Sequence, residues 1–219
     1  IVRAVQQECR EKVHKLYCID PSTEALKVAR KNLINNLNCE FLNNGVGDFP
    51  LEDNSMDFGY SLGVLHHIPN TYEGIKSCVN KLKKNAPFLV YLYYAFDNRP
   101  WIFRQIWKFS NLFRIVISAL PFFLRYPLTQ VIAFFVYLPL SRISKILDYM
   151  GIDVDNIPLS YYKRSSFYTM RTDALDRFGT NLEQRFTKDQ IKKMLKDSGL
   201  KNIIFSENMP HWCALGYKK

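Results

Sequence analysis

Residues suited to ligand chemistry follow apolar runs at three places in the chain. Asp20 comes directly after HKLYCI, and Gly45 with Val46 comes shortly after CEFL. The segment SLGVLHH, which ends in His66 and His67, continues the run DFGY. The carboxylate of Asp20 can accept both hydrogen bonds of a ribose diol. An Asp before Pro-Ser can equally be a turn and cap residue, so both interpretations stay open.

The other two segments combine small residues with imidazoles. Gly45 would let a loop backbone approach a flat ring on which Val46 could pack, although an ordinary turn explains the pair as well. Gly63 would allow a similar close approach. His66 and His67 titrate near neutral pH, which suits proton transfer, whereas capping or core packing is the alternative role.

Alternating strand and helix patterns place these residues at strand ends. Short apolar or β-prone runs predict strands over 14–19, 39–42, 57–62 and 88–94. Helical spacing predicts helices over 3–13, after a Ser22 cap, and over 72–83. This alternation predicts an α/β fold with a doubly wound, mostly parallel sheet. Ligands bind such sheets at the carboxyl ends of the strands, where the three segments lie.

The last part of the chain again shows helix and strand patterns typical of an α/β fold. Thr187 and Gln190 predict a capping box, and Gly199 predicts the end of that helix. Runs over 203–206 and 212–217 predict an antiparallel hairpin, with a turn at 208–210. We therefore predict three regions: an α/β region over 1–100, an insert over 101–186, and a helix with a hairpin over 187–219 that completes the sheet.

The insert begins with the most apolar segment of the chain. Residues 101–150 predict two or three helices punctuated by Pro121, Pro127 and Pro139. The longest uncharged run, 126–141, has 16 residues and contains two of these prolines, so no membrane-spanning helix is predicted. Three interpretations stay open: a buried helical lid, a membrane-surface segment in which basic and aromatic residues meet anionic lipid, and a dimerisation surface.

Aromatic residues after this segment are candidates for contact with a second substrate. Residues 151–186 are aromatic and turn-rich, and the stretch from Tyr161 to Arg171 could close over an acceptor, with Tyr168 in its middle. Tyr93 and Tyr94 end the run FLVYLYY and are weaker candidates. Packing within a loop is the alternative role of each.

Composition narrows the possible functions. The chain has 219 residues, of which 47% are hydrophobic and 23% charged, and this excludes bulk disorder. Five cysteines without a C-x-x-C pair argue against a metal centre or a disulfide framework and favour reduced thiols in the cytoplasm. The net charge is +10, but residues 101–150 interleave 6 basic side chains and 1 acidic side chain with bulky apolar residues. Nucleic acid is therefore not the favoured partner.

Two strings resemble the class I S-adenosylmethionine-dependent methyltransferases. DNSMDFGYSLGVLHHIPN, residues 53–70, is similar to the region around the family's fourth strand. LYCIDPSTEALKVARKNL, residues 16–33, resembles its second strand, ribose-binding acid and following helix. The resemblance implies S-adenosylmethionine as cofactor. It also implies that Asp20 holds the ribose, that Gly45 and Val46 lie by the adenine, and that Ser61, Leu62 and Gly63 line the methionine part. His67, and with a weaker case His66, would face the reacting methyl group.

One feature of that family is absent from the sequence. Its first strand and glycine-rich turn would precede Ile1, and residues 3–13 would be the helix after that turn. We therefore expect a fragment with impaired cofactor binding. The expected acceptor is small or lipid-linked, and the expected location is the cytoplasm, with peripheral contact to the inner face of a membrane through 101–150. The oligomeric state is left open.

Two other functions are alternatives to methyl transfer. The first is a non-catalytic membrane-surface or partner-binding module on the same scaffold. The second is a nicotinamide-dependent oxidoreductase, which would share the acidic residue after the second strand but leaves the LHH segment and the terminal hairpin unexplained.

Overall fold

The chain divides into two compact units. The computed structural model describes residues 13–35, 38–208 and 211–219. The sheet unit contains the described residues up to Leu65, together with Asn70–Tyr91 and Lys192–Lys219. The helical unit contains His66–Pro69 and Leu92–Ile191. The predicted helix over 3–13 (apart from residue 13) and the last two residues of the predicted turn at 208–210 lie outside the described residues.

The sheet unit contains six strands. They are β1 Leu16–Ile19, β2 Cys39–Leu42, β3 Gly59–Leu62, β4 Pro87–Tyr91, β5 Leu200–Phe205 and β6 Cys213–Lys218. In the described chain, hydrogen bonds pair β1 with β2 in parallel and join the other four in the order β3-β4-β6-β5. The β3–β4 pair is parallel, whereas β6 is antiparallel to both β4 and β5. The predicted α/β class and the terminal hairpin are confirmed.

Local sequence signals explain the helices beside these strands. Helix α1, Thr23–Asn32, begins where the side chain of Ser22 accepts a hydrogen bond from the backbone N–H of Ala25, as the sequence predicts. Helix α2, Thr71–Lys81, begins at Asn70 in the same way. Its buried face packs apolar side chains into the core of the sheet unit, which contains Ile75, Val79, Leu82, Phe88 and Val90.

The helical unit is built from longer helices. They are α3 Trp101–Ser118, α4 Phe122–Ile132, a π-helical turn Ala133–Tyr137, α5 Leu138–Tyr149, and α6 Phe167–Gly179. Short 3₁₀ turns form at Leu65–His67 and Ser160–Arg164. The core of this unit contains Ile117, Ala133, Tyr137, Met170, Ala174 and Phe178.

Along the sequence, the boundary between the two units falls within helix α7, Lys188–Asp197, after Ile191. The predicted capping box is present, since Gln190 Oε1 accepts from the Thr187 N–H and Thr187 Oγ1 accepts from the Gln190 N–H. Gly199, at φ +94°, follows the end of the helix. Only glycine adopts this left-handed conformation without strain, so the predicted stop is confirmed.

Only one of the three prolines in 101–150 separates helices. Pro121 lies between α3 and α4, whereas Pro127 lies inside α4 and Pro139 inside the first turn of α5. The wider π turn directly precedes Pro139, which has no N–H to donate. The segment Phe122–Tyr149 is consequently one continuous helix of 28 residues, called the long helix below. By length and composition alone it could cross a membrane, contrary to the estimate from the uncharged run.

Helix α6 corrects the prediction that 151–186 is a turn-rich stretch. The Ser166 side chain accepts from the Thr169 N–H and starts the helix. Met170, Ala174 and Phe178 then recur every four residues and are buried. The cap and this spacing were readable in the sequence but were obscured by the aromatic and polar residues around them.

Candidate functional site

Asp20 lies at the carboxyl end of β1, on the edge that β1 shares with β2. Its carboxylate oxygen Oδ1 accepts from the Ser22 N–H at 2.7 Å, which is a turn and cap role. The other oxygen, Oδ2, makes no hydrogen bond to any residue in the described part of the chain. Asn43 Nδ2 donates to the backbone oxygens of Asp20 and Pro21, at 3.1 and 2.9 Å. Asp20 therefore has a turn and cap role through Oδ1.

The loop after β2 contains Gly45 and Val46. The parallel pairing of Ile19 with Leu42 brings this loop to the same sheet edge as Asp20. A Cβ added to Gly45 would meet nothing within 4 Å, so the space beside this backbone is open. The residue that requires glycine is instead Gly47, at φ +105°. Val46 is half-buried.

Ser61, Leu62 and Gly63 lie at the carboxyl end of β3. Leu62 pairs with Tyr91 of β4, and the Gly63 N–H donates to the Tyr91 carbonyl at 3.0 Å. Gly63 has φ +75°, which a side chain would strain, while an added Cβ would meet Tyr91 only at an ordinary 3.9 Å. Within the sheet unit, Asp20 and Val46 therefore share one sheet edge, and the Ser61–Gly63 segment ends a strand of the other sheet.

His67 belongs to the helical unit and is held in a defined tautomer. Its Nδ1 atom lies 2.8 Å from the carbonyl oxygen of Leu182. Because a carbonyl only accepts hydrogen bonds, Nδ1 carries the proton. The lone pair then lies on Nε2, and the imidazole is half-buried. This arrangement suits a general base.

His66, the neighbouring residue, is fully buried and has a different environment. Its ring stacks on Tyr93 with the centroids 3.7 Å apart, and the His67 ring centroid lies at 4.1 Å. Neither ring nitrogen has a hydrogen-bond partner in the described part of the chain. Burial first, and then the charges of His67 and Arg185, lower the pKa of His66 to about 3. His66 is therefore neutral at physiological pH.

A buried ionic cluster lies beside the histidines, and the sequence analysis did not identify it. Glu183 Oε1 accepts from Arg177 and from Arg185, both at 2.8 Å. The Arg185 guanidinium lies 5.0 Å from the ring centre of Tyr93 and 5.1 Å from that of Trp107. The three charged residues are close in sequence, but Tyr93 and Trp107 come from distant parts of the chain, so spacing alone carried no signal for those ring contacts.

The remaining acceptor-side candidates are distributed over the helical unit. Tyr93 Oη donates to Asp176 Oδ2 at 2.9 Å, and Tyr94 is buried and bridges to Phe186. The side chains of Tyr161 and Tyr168 are largely exposed. Arg171 donates to Tyr126 Oη at 3.0 Å and to Gln130 Oε1, both on α4. Of this set, Tyr93 contacts the histidine pair, whereas Arg171 contacts α4.

The described part of the chain has no cluster of metal-ligating side chains. Among residues 13–35, 38–208 and 211–219, no three His, Cys, Asp or Glu side chains are grouped to hold an ion. Cys18, Cys39, Cys78 and Cys213 are free thiols. Burial raises the pKa of Cys78 to about 12, which makes that thiol a poor nucleophile.

Comparison with known proteins relates part of the sheet unit to a known family. Residues 3–90 match the model of the methyltransferase domain family. This part of the chain is therefore similar to methyltransferase domains. The match ends at the last residue but one of β4 and includes every candidate cofactor residue named above. No curated protein matches the sequence.

Solved structures share the fold of this chain. An S-adenosylmethionine-dependent methyltransferase from Methanosarcina mazei is 12% identical, with 97% of this chain and 86% of that chain covered and a TM-score of 0.53. A possible exported protein from Bordetella parapertussis is 13% identical, with 93% of this chain covered and a TM-score of 0.52. This chain spans about half of the Bordetella protein, 53%. At these identities the likeness concerns the fold.

Proposed function

We propose that this chain belongs to an S-adenosylmethionine-dependent methyltransferase and that its sheet unit supplies cofactor contacts. The observation that carries the proposal is the set of loops at the carboxyl ends of β1, β2 and β3. These loops offer a carboxylate oxygen not used by the turn at Asp20, open space beside Gly45, and a left-handed backbone at Gly63. Such loops are where open α/β sheets bind nucleotide-like ligands.

The residues present fit parts of this cofactor. Asp20 Oδ2 would accept from a ribose hydroxyl, and the open side of Gly45 with the half-buried Val46 would suit the flat adenine. Ser61, Leu62 and Gly63 would line the methionine part. When bound, the cofactor supplies a methyl group on a sulfonium, which is already activated for attack.

His67 is the proposed base for the acceptor. A base is needed when the acceptor is a hydroxyl or a protonated amine, because the proton must leave as the new bond forms. The Leu182 carbonyl holds the Nδ1–H and leaves the Nε2 lone pair available. We propose a small or lipid-linked acceptor, since bulky apolar residues are interleaved with the positive charge of residues 101–150.

Binding and transfer are measured separately with two variants. Saturation-transfer NMR, which detects weak binding, should find S-adenosylmethionine bound to the parent chain and more weakly bound to Asp20→Asn, by about tenfold for one lost charged hydrogen bond. His67→Gln should leave that binding unchanged. The same variant should lower transfer of a tritiated methyl group to total lipid extract or to a pool of small hydroxylated acceptors by about a hundredfold or more.

A non-catalytic module is the second candidate function. It is favoured by the exposed apolar faces of α3 and the long helix, which have no role in methyl transfer as such. Absence of cofactor binding by the parent chain, together with lipid binding, would support this candidate over the enzyme. Equal loss of cofactor binding in His67→Gln and Asp20→Asn would instead give His67 a structural role.

A further inference from the structure

We propose that the helical unit docks on an anionic lipid bilayer through the outward faces of α3 and the long helix. The proposal concerns only the helical unit and goes beyond methyl transfer. It does not depend on whether the sheet unit binds cofactor, so the two proposals fail separately. The features that support it are the apolar faces of the two helices, the hydrogen bonds that fix them, the charge around them, and the aromatic residues at the helix ends.

Helix α3 has its apolar side outward. Ile102, Ile106, Phe109, Phe113 and Val116 recur every three to four residues, and each is about half exposed or more. The opposite face turns polar groups inward beside the core residue Ile117: Arg114 and Ser118 are buried, and Ser110 is half-buried. In a water-soluble helix the polarity is normally the reverse.

The long helix has the same inverted polarity. Its inward positions are small or polar, and all are at most 5% exposed: Thr129, Ala133, Tyr137, Ser141 and Ser144. Its outward positions are bulky and apolar, and they include Phe123, Leu128, Val131, Phe135 and Ile146. Small and hydroxylated residues toward neighbouring helices, with bulky apolar residues outward, are the pattern of helices surrounded by lipid.

Hydrogen bonds fix both helices in this orientation. Arg114 Nη1 donates to the carbonyls of Thr180 and Asn181 at 2.8 and 3.0 Å. Arg125 Nη1 donates to the carbonyls of Ser118 and Gly179 at 3.2 and 3.1 Å. The carbonyls of Gly179 and Thr180 lie at the C-terminal end of α6, where the helix dipole favours a positive charge. Turning either helix to bury its apolar side would break these bonds and bury a charge without a partner.

The positive charge around the apolar faces of α3 and the long helix favours an anionic bilayer as the partner of this surface. Exposed apolar patches larger than a few hundred Å² are rare on soluble monomers, so this face needs a partner. Residues 101–150 carry 6 basic side chains and 1 acidic side chain, and Arg104, Lys108 and Lys145 are exposed. A second copy of the chain would bring these like charges together, whereas anionic headgroups would neutralise them.

The ends of the two helices fit the headgroup region. Trp101 begins α3 and Tyr149 ends the long helix, and both side chains are mostly exposed. Aromatic side chains of this kind favour the boundary between lipid tails and water. The long helix also carries Arg125, Arg142, Lys145 and Asp148, and its inward face packs on α6. These features favour docking in the plane of the surface, at the cytoplasmic leaflet where anionic lipid is found.

Vesicle co-sedimentation of the full chain tests this proposal. Binding is expected with phosphatidylcholine vesicles that contain phosphatidylglycerol, and weaker binding with phosphatidylcholine alone. Phe109→Ser with Phe135→Ser should lower the vesicle-bound fraction at least tenfold. Ile34→Ser with Ile204→Ser removes two equally exposed apolar side chains from the sheet unit and should change nothing. Circular dichroism should show all variants folded.

A charge-reversal pair tests the electrostatic part of the same proposal. Arg104→Glu with Lys108→Glu should abolish the preference for anionic vesicles, whereas Lys27→Glu with Lys31→Glu on α1 should keep it. Equal binding by the parent and by Phe109→Ser with Phe135→Ser would overturn the proposal. So would a discrete dimer that does not bind vesicles. Resistance to extraction at alkaline pH would also overturn it and would indicate a spanning helix instead.

Discussion

The two adjacent imidazoles of His66 and His67 show how environment separates residues of one type. His67 is half-buried and donates through Nδ1 to the Leu182 carbonyl, so its other nitrogen can accept a proton. His66 is enclosed between Tyr93 and the His67 ring, and its pKa falls to about 3. The first presents the Nε2 atom as a hydrogen-bond acceptor. The second acts as a neutral aromatic ring and makes stability depend on pH.

That dependence has a defined sign. Below its ordinary pKa of 6.5, His66 takes up a proton in the unfolded chain but not in the folded one, so stability is lost as pH falls from about 6.5 toward 3. Between pH 7 and 5 the loss from this residue is about 2 kcal/mol. His66→Phe keeps the stacked ring and should remove that share of the pH dependence in urea unfolding. His67→Gln should leave most of it in place, because burial is the largest cause of the lowered pKa of His66. An unchanged slope in His66→Phe would contradict the assignment.

At the scale of elements, the inverted polarity of the long helix reverses the usual expectation for substitutions. Ser141 is fully buried against Met170, whereas Ile143 is half exposed. Ser141→Leu should therefore lower the free energy of unfolding by about 1–3 kcal/mol through overpacking. Ile143→Ser should change it by less than about 0.5 kcal/mol. Urea unfolding followed by circular dichroism measures both, and a larger loss in Ile143→Ser would mean that this side chain is buried in solution.

The same helices mark the limit of prediction from sequence. Strands β1 to β3 end where apolar runs meet Asp20, Asn43 and Gly63, so the position of the candidate cofactor residues at strand ends could be predicted. The apolar residues of 101–150 predicted helices but could not say whether their apolar side chains pack inward or outward, because both give one pattern. Proline content hid the continuity of the long helix. The position of Arg185 near the rings of Tyr93 and Trp107 depends on tertiary contacts, which local spacing does not encode.

At the scale of the whole molecule, the net charge of +10 describes the chain poorly. The first 100 residues carry 12 basic and 11 acidic side chains, whereas residues 101–150 carry 6 and 1. The excess is therefore concentrated in the segment that has the exposed apolar faces. Arg104, Lys108 and Lys145 are exposed there, whereas Arg114 and Arg125 bond inward. A polyanion groove needs positive charge on a polar surface, and this surface has bulky side chains between its charges. Charge and apolar area together specify the partner better than net charge does.

The two contributions differ in their response to salt, and this difference gives a last prediction. Screening shortens the reach of exposed charges from about 10 Å at 0.1 M salt to about 3 Å at 1 M, while apolar burial is not weakened. Binding to anionic vesicles should therefore fall severalfold as sodium chloride is raised over this range and then level off. Duplex DNA should not displace the vesicles at low salt. Complete release by salt, or displacement by DNA, would mean that charge alone holds the chain to the surface and that the apolar faces do not enter the bilayer.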